Sequence, residues 1–464
     1  MSRKTVIYQM LPRLWGPGRF SGVDDASLEY ISSLGATHVW YTGIIRHSTA
    51  QPFVKGNPGS PYAISDYYDV NPYLADLESS RMDEFESLVR RTHAHSLKVI
   101  IDFVPNHLGR DYSDSRGGIP HHDFYDYDWS DTCKIDYSHP DTWGRMLEVV
   151  RFWASKGVDG LRCDMVEMVP PEFFRWLISS VKKEYPQLTF IAEVYQKEKY
   201  FSYLEDVGFD ILYDKSGLYD TLRSIVSGQG SARGITWNWQ FLGPLQGRML
   251  NFLENHDEQR LASPFFAGRC DHMAALYTSL MLNTSPFMLY FGQEIGLDAA
   301  EGHEGRTSIF TWNKPSGLER LYAFLHSSSS LTPQESDTLD RYREALRLAS
   351  SECISSGLTY DLCYCQGASG GFDPDKHFAF LRHCADDFAA DEPADISAAR
   401  GLDGRYCDRT LRTALIVCNF SSSAADLTVS IPQHAWDYLG LPLPQSVRVT
   451  VPPFGATAVN IRSK

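Results

Sequence analysis

The chain has 464 residues, 43% of them hydrophobic and 13% aromatic, enough apolar material for a large core and more than one domain, which excludes a small stapled module. A net charge of −15 and a sequence pI near 5.4 oppose the counterion-release binding that nucleic acids and anionic membranes demand, so neither is expected as a partner. Nine cysteines without CxxC spacing suit a reducing compartment better than a disulfide framework.

In chain order, the N-terminal MSRKTVIYQMLPRLW is interrupted by Gln9, Pro12 and Arg13 and makes a poor signal peptide. No later run has the length of a transmembrane helix, so a soluble cytoplasmic protein is expected unless an export signal has been removed. Candidate strands follow as VIYQML, THVWYTG, KVIIDFV, VDGLRCD, TFIAEV, FDILYD, GRMLNFL and PFMLYFG. They alternate with amphipathic stretches, as parallel strands joined by helices do, and eight is the count that closes a barrel. The helix before KVIIDFV should bury Phe85, Leu88, Val89 and Thr92. The helix before VDGLRCD should bury Trp143, Met146, Leu147, Val150 and Trp153. A third begins at Pro170 and Pro171, where a missing N–H costs little, and buries Phe173, Phe174, Leu177, Ile178 and Val181.

The stretch LGRDYSDSRGGIPHHDFYDYDWSDTC has neither period and reads as a long functional loop on the active face, a small subdomain over 108–135. Beyond Ser351 the pattern changes to alternating segments, HFAFLRHC, RTALIVCNF, ADLTVSI and VRVTVPPFGATAVNI. The reading is a catalytic barrel over 1–352 and an antiparallel β-sandwich over 353–464. ADDFAADEPADISAARGLDG is read as an exposed loop between two of its strands. Cys363 and Cys365 are read as isolated thiols on strands, not as metal ligands with His377 or His383.

Reactive groups of barrel enzymes sit where strands end at the carboxyl face. Strand three closes on Asp102, followed by Asn106 and His107 in DFVPNH; strand four on Arg162 and Asp164 in GLRCD; strand five on Glu193 in IAEVY. Strand seven runs into Asn255, His256 and Asp257 in FLENHD. Residues two apart on a strand face the same way, so Arg162 stands beside Asp164 and should hold it ionised, as a nucleophile must be. Glu193 follows an apolar run, where burial and neighbouring carboxylates would raise its pKa and fit it to act as a general acid. Such a pair, at roughly 5 Å separation, is what glycosidic cleavage with retention requires.

DFVPNH, GLRCD, AEVY and ENHD together resemble the four short regions of the α-amylase family of glycoside hydrolases, in family order. The likeness extends from VIYQMLPRLW through SPYAISDYYDVNPYLAD to FGQEIG. It implies a (β/α)8 TIM barrel with Asp164 as nucleophile, Glu193 as acid/base and Asp257 as the third, transition-state-stabilising carboxylate. It also implies substrate contacts from Arg162, His107, His256 and Asp102, with Tyr62 stacking on the reacting sugar. The partner it implies is an α-glucan or maltooligosaccharide.

Many relatives hold a structural calcium through the first-region Asn, the insert after strand three and a His shortly after the nucleophile. Here Asn106 remains, but the insert is short and the usual Lys-His pair is Glu167 and Met168, a thioether that calcium does not select. No cofactor and no metal are expected, the usual calcium site being incomplete. Glu167 is read either as a helix N-terminal charge or as a contact to a sugar beyond the cleavage point. In YTGIIRHS, Arg46 and His47 are candidates to line the cleft.

The leading reading is a hydrolase of α-1,4-glucosidic bonds in maltooligosaccharides or starch-like glucans. A 4-α-glucanotransferase or trehalose-forming isomerase would carry the same acids. A catalytically dead carbohydrate-binding barrel is opposed by the presence of all three carboxylates. A phosphate-binding barrel enzyme is opposed by the lack of a Gly-rich cradle after the last strands.

Overall fold

The computed structural model describes residues 4–384, 411–440 and 444–461. Eight parallel strands close a barrel: β1 (Val6–Met10), β2 (His38–Tyr41), β3 (Lys98–Phe103), β4 (Gly160–Cys163), β5 (Thr189–Ala192), β6 (Ile211–Tyr213), β7 (Met249–Phe252) and β8 (Phe287–Tyr290). Each pairs with its sequence neighbour, and β8 returns to β1 with Val6 opposite Phe287. All eight predicted strands are present, and this is the expected (β/α)8 barrel. Covered on both faces, these strands are apolar nearly throughout, which is why they read as continuous runs.

The helices bury the stripes that their periodicity predicts. Arg81–Ala94 buries Phe85, Leu88, Val89 and Thr92. Pro171–Lys182 starts with Pro171 at its first position and buries Phe173, Phe174, Leu177, Ile178 and Val181. Thr142–Ser155 buries Met146, Leu147, Val150 and Trp153, with Trp143 half-buried at the edge. The insert after β3 is pinned at its base by a short antiparallel pair, His107–Gly109 with Thr132–Lys134.

The C-terminal part is antiparallel. A four-stranded sheet orders β9 (Leu358–Asp361), β10 (His377–His383), β11 (Thr413–Asn419) and β14 (Ala456–Asn460); a two-stranded sheet pairs β12 (Ala425–Ser430) with β13 (Ser446–Val451). VRVTVPPFGATAVNI, read as one β-segment, is two strands in different sheets. Pro452 and Pro453 cannot supply ladder N–H groups and break it. Alternation divides β10: Phe378 and Phe380 face the barrel's core, Ala379 and Leu381 the core between the two sheets. Cys363 and Cys365 lie in a 3-10 turn, not on strands as expected, with Cys363 Sγ donating to the Ala379 carbonyl and Cys365 Sγ to that of Leu362. The acidic stretch over 385–404 lies outside the described residues. Among those described, no helix is long and apolar enough to cross a membrane.

Candidate active site

The carboxyl ends of the strands converge on one guanidinium. Arg162, fully buried near the end of β4, donates from one terminal nitrogen to Asp164 at 2.6 Å, and its other reaches Glu193 at 2.7 Å. Asp102 lies 3.7 Å away on β3, and Nε donates to the Tyr213 hydroxyl at the end of β6 at 3.3 Å. The rings of Trp40, Tyr62 and Tyr213 each sit 5.5 Å from this cation. A guanidinium suits the place because it stays charged when buried and offers donors in a fixed fork.

Immediately after the nucleophile candidate, Met165 adopts a left-handed backbone (φ 43°, ψ 44°). For a side-chain-bearing residue this costs on the order of 1 kcal/mol or more. The turn aims the Met165 N–H at Glu193 Oε2, 2.9 Å away. Glu193 Oε1 accepts in addition from the Tyr195 hydroxyl at 2.7 Å.

Burial raises the pKa of Glu193; Arg162 opposes this, Asp164 adds to it, and the bonds from Met165 and Tyr195 pull it down. The net direction is up, as a general acid needs. Asp164 differs from what its neighbour alone implies. Arg162 does favour its ionised form, by its charge and by its hydrogen bond, but burial outweighs them and the net shift is upward. Asp257 is raised by desolvation and then by the Glu193 charge. It is also the one of the three whose side chain opens to the cleft, 43% exposed, so water there works against that desolvation.

Tyr62, His256 and Asp102 form a connected wall. The Tyr62 hydroxyl donates to Asp102 at 3.3 Å and bonds His256 Nε2, and the two rings stack with centroids 5.4 Å apart. His256 Nδ1 meets the Gln9 amide nitrogen of β1 at 2.8 Å, and Nε2 lies 3.1 Å from Asp257. Burial and the Arg162 charge hold the His256 pKa well below its ordinary value, so the ring is neutral. With Gln9 donating to Nδ1, its proton rests on Nε2. Asp102, expected at the sugar, has one oxygen engaged by Trp40 and the other by Tyr62; burial pushes its pKa up to about 7. His107, buried with a pKa pushed down to about 4 by desolvation and then Lys134, packs against Trp129.

Two candidate sets are held by partners of their own. The Glu167 carboxylate, in the first turn of the 3-10 helix Val166–Met168, is engaged across the barrel's rim. It accepts from the backbone N–H of Tyr195 at 2.7 Å and pairs with Lys199 at 3.4 Å, fastening the loop that carries Tyr195. Arg46 and His47 do not line the cleft as free groups. Arg46 pairs with Asp69 at 3.0 Å, and buried His47 is held between the Pro58 carbonyl and the Asn71 side chain.

Sequence reasoning left Gln9, Trp40, Tyr195 and Tyr213 unassigned. Their signal was a polar or aromatic residue at or just beyond a strand end, and Tyr195 stood inside the quoted AEVY. Because Tyr195 donates to the charged form of Glu193, Tyr195→Phe should move the alkaline limb of the kcat pH profile to higher pH, with KM changing little. An unmoved limb in wild-type and variant profiles would mean that this bond does not tune the acid.

Residues 8–133 match the model of the α-amylase catalytic domain. Alpha-amylase 3 of Dictyoglomus thermophilum is 26% identical over 337 residues, 64% of this chain and 63% of that protein. An α-1,4-glucan:maltose-1-phosphate maltosyltransferase of Cereibacter sphaeroides is 30% identical over 237 residues, 44% of this chain and 39% of that protein. The chain thus spans less than two thirds of the length of these curated relatives. Among solved structures, the cyclic α-maltosyl-(1→6)-maltose hydrolase of Arthrobacter globiformis superposes with a TM-score of 0.69 at 18% identity, covering 98% of each chain, a likeness of fold. With the closed barrel and the four strand-end segments converging on Arg162, these matches support one family for this chain, that of the α-amylases.

Proposed function

We propose that this protein hydrolyses α-1,4-glucosidic bonds in maltooligosaccharides or starch-like glucans with retention of configuration. The observation that carries this reading is the grip of one buried guanidinium on both Asp164 and Glu193. The two carboxyls sit on the two terminal nitrogens of that one guanidinium, at 2.6 and 2.7 Å, which supports the close spacing of roughly 5 Å that retaining enzymes use over the wider spacing of an inverting pair.

Glu193 arrives protonated and gives its proton to the leaving glycosidic oxygen while Asp164 attacks the anomeric carbon. The glycosidic C–O bond breaks, a glucosyl ester of Asp164 forms, and the shortened glucan leaves. Glu193, now a carboxylate, takes a proton from water as that water attacks the anomeric carbon, and the ester bond breaks to restore Asp164. Proton loss from Glu193 places negative charge beside Arg162, whose charge therefore favours the first step by stabilising the carboxylate it leaves. Asp257, with neutral His256 beside it, is offered to hydroxyls of the reacting sugar and to the positive charge that develops on its ring.

A time course on maltotriose tests the reading against transfer. Hydrolysis predicts glucose and maltose with a steady gain of reducing ends. Maltotetraose and longer products without net reducing-end gain would assign the protein to glucan transfer instead. Starch and pullulan as parallel substrates separate chain-internal from chain-end cleavage.

A further inference from the structure

At the place where the family resemblance would put a structural calcium, this chain has a cation of its own. Lys134 ends the short strand Thr132–Lys134, directly opposite His107. Its ammonium donates to Asn106 Oδ1, to Asp126 Oδ2 at 2.9 Å and to the Met168 carbonyl at 3.4 Å. Asn106 is fully buried and donates from Nδ2 to the same Asp126 oxygen at 3.0 Å. The three acceptors come from the exit of β3, the insert and the turn that follows the nucleophile. All are oxygens, the donor type a hard divalent ion takes. Three N–H donors of an ammonium meet them one to one. Calcium does not fit beside this group: it would have to displace the ammonium and bring two like charges together in a largely buried space.

We infer that Lys134 is a built-in replacement for a structural cation, its ammonium fixing Asn106, Asp126 and Met168 and through them the wall that carries His107 and the turn after Asp164. Asp126 is consistent with this role. Burial pushes its pKa up, but the bonds from Lys134 and Asn106 outweigh that and hold it below the ordinary carboxylate value.

Thermal unfolding of the full chain tests the inference without reference to activity. The wild-type Tm should be the same in EDTA and in millimolar calcium chloride, at matched ionic strength. A wild-type Tm that rises in calcium would overturn the proposal. Lys134→Ala should melt several degrees lower in EDTA and recover in calcium, because the three oxygens are then free to take the ion. Asp126→Asn added to Lys134→Ala should abolish that recovery. A Lys134→Ala protein that melts like wild type, or that ignores calcium, overturns the inference. Should Lys134→Ala not fold, Lys134→Gln keeps a donor without the charge, and the same two readings apply to it.

Discussion

Asp164→Asn is expected to lower kcat on maltotriose by on the order of 10³-fold or more, the scale of losing a group that bonds covalently in the reaction. The amide keeps the shape of the carboxylate and can still accept the 2.6 Å bond from Arg162. Binding should therefore survive, and KM should move far less than kcat. Initial rates of product release over a range of maltotriose concentrations separate the two. A variant within tenfold of wild-type kcat would remove Asp164 from the chemistry and with it the double displacement. Glu193→Gln offers no such clean contrast, because Glu193 also receives the Met165 N–H and the Tyr195 hydroxyl, so its loss disturbs the geometry as well as the proton.

Arg162→Met should be the most destabilising single change at the site. It leaves Asp164 and Glu193 buried without their common counter-charge, and breaking a buried pair from one side costs about 3–5 kcal/mol. The pH dependence has a definite sign. Both carboxyls already have folded-state pKa values above their ordinary ones, so their contribution is fully present below the unfolded values of about 4 and is lost as pH rises through the folded values. Removing the guanidinium raises those folded values further and widens that window. The deficit of Arg162→Met relative to wild type should therefore be larger at pH 8 than at pH 5. Urea unfolding at the two pH values measures it; a deficit independent of pH, or below about 1 kcal/mol, would contradict the shared-charge account.

The barrel was legible because each strand is covered on both sides and needs little but apolar residues, and because the helices carry a 3.6-residue stripe on their one buried face. Arg162 and Asp164 were legible as neighbours through the period of two within a single strand. The rest depends on contacts that no local period encodes. Gln9 meets His256 across 247 positions of sequence. Lys134 reaches Asn106 and Met168 only once the insert has folded back against His107–Gly109. Glu167 was weighed for the helix that follows it and for a sugar, while its partner is the backbone of the next strand's loop, 28 residues on. The net direction of the Asp164 pKa was not legible for a different reason. A neighbouring cation can be read from spacing, but how completely water is excluded around both groups cannot.

The seam where β8 meets β1 has a consequence for how the protein is made. Gln9, delivered first, waits for His256 near the end of β7, and the strand that locks Val6 into the ring, Phe287–Tyr290, comes later still. Loop closure on that scale is slow and cannot begin until the late partner exists. A chain still on the ribosome before its 290th residue therefore carries Arg162, Asp164 and Glu193 but no finished pocket around them, and the site is acquired all at once, when the ring shuts.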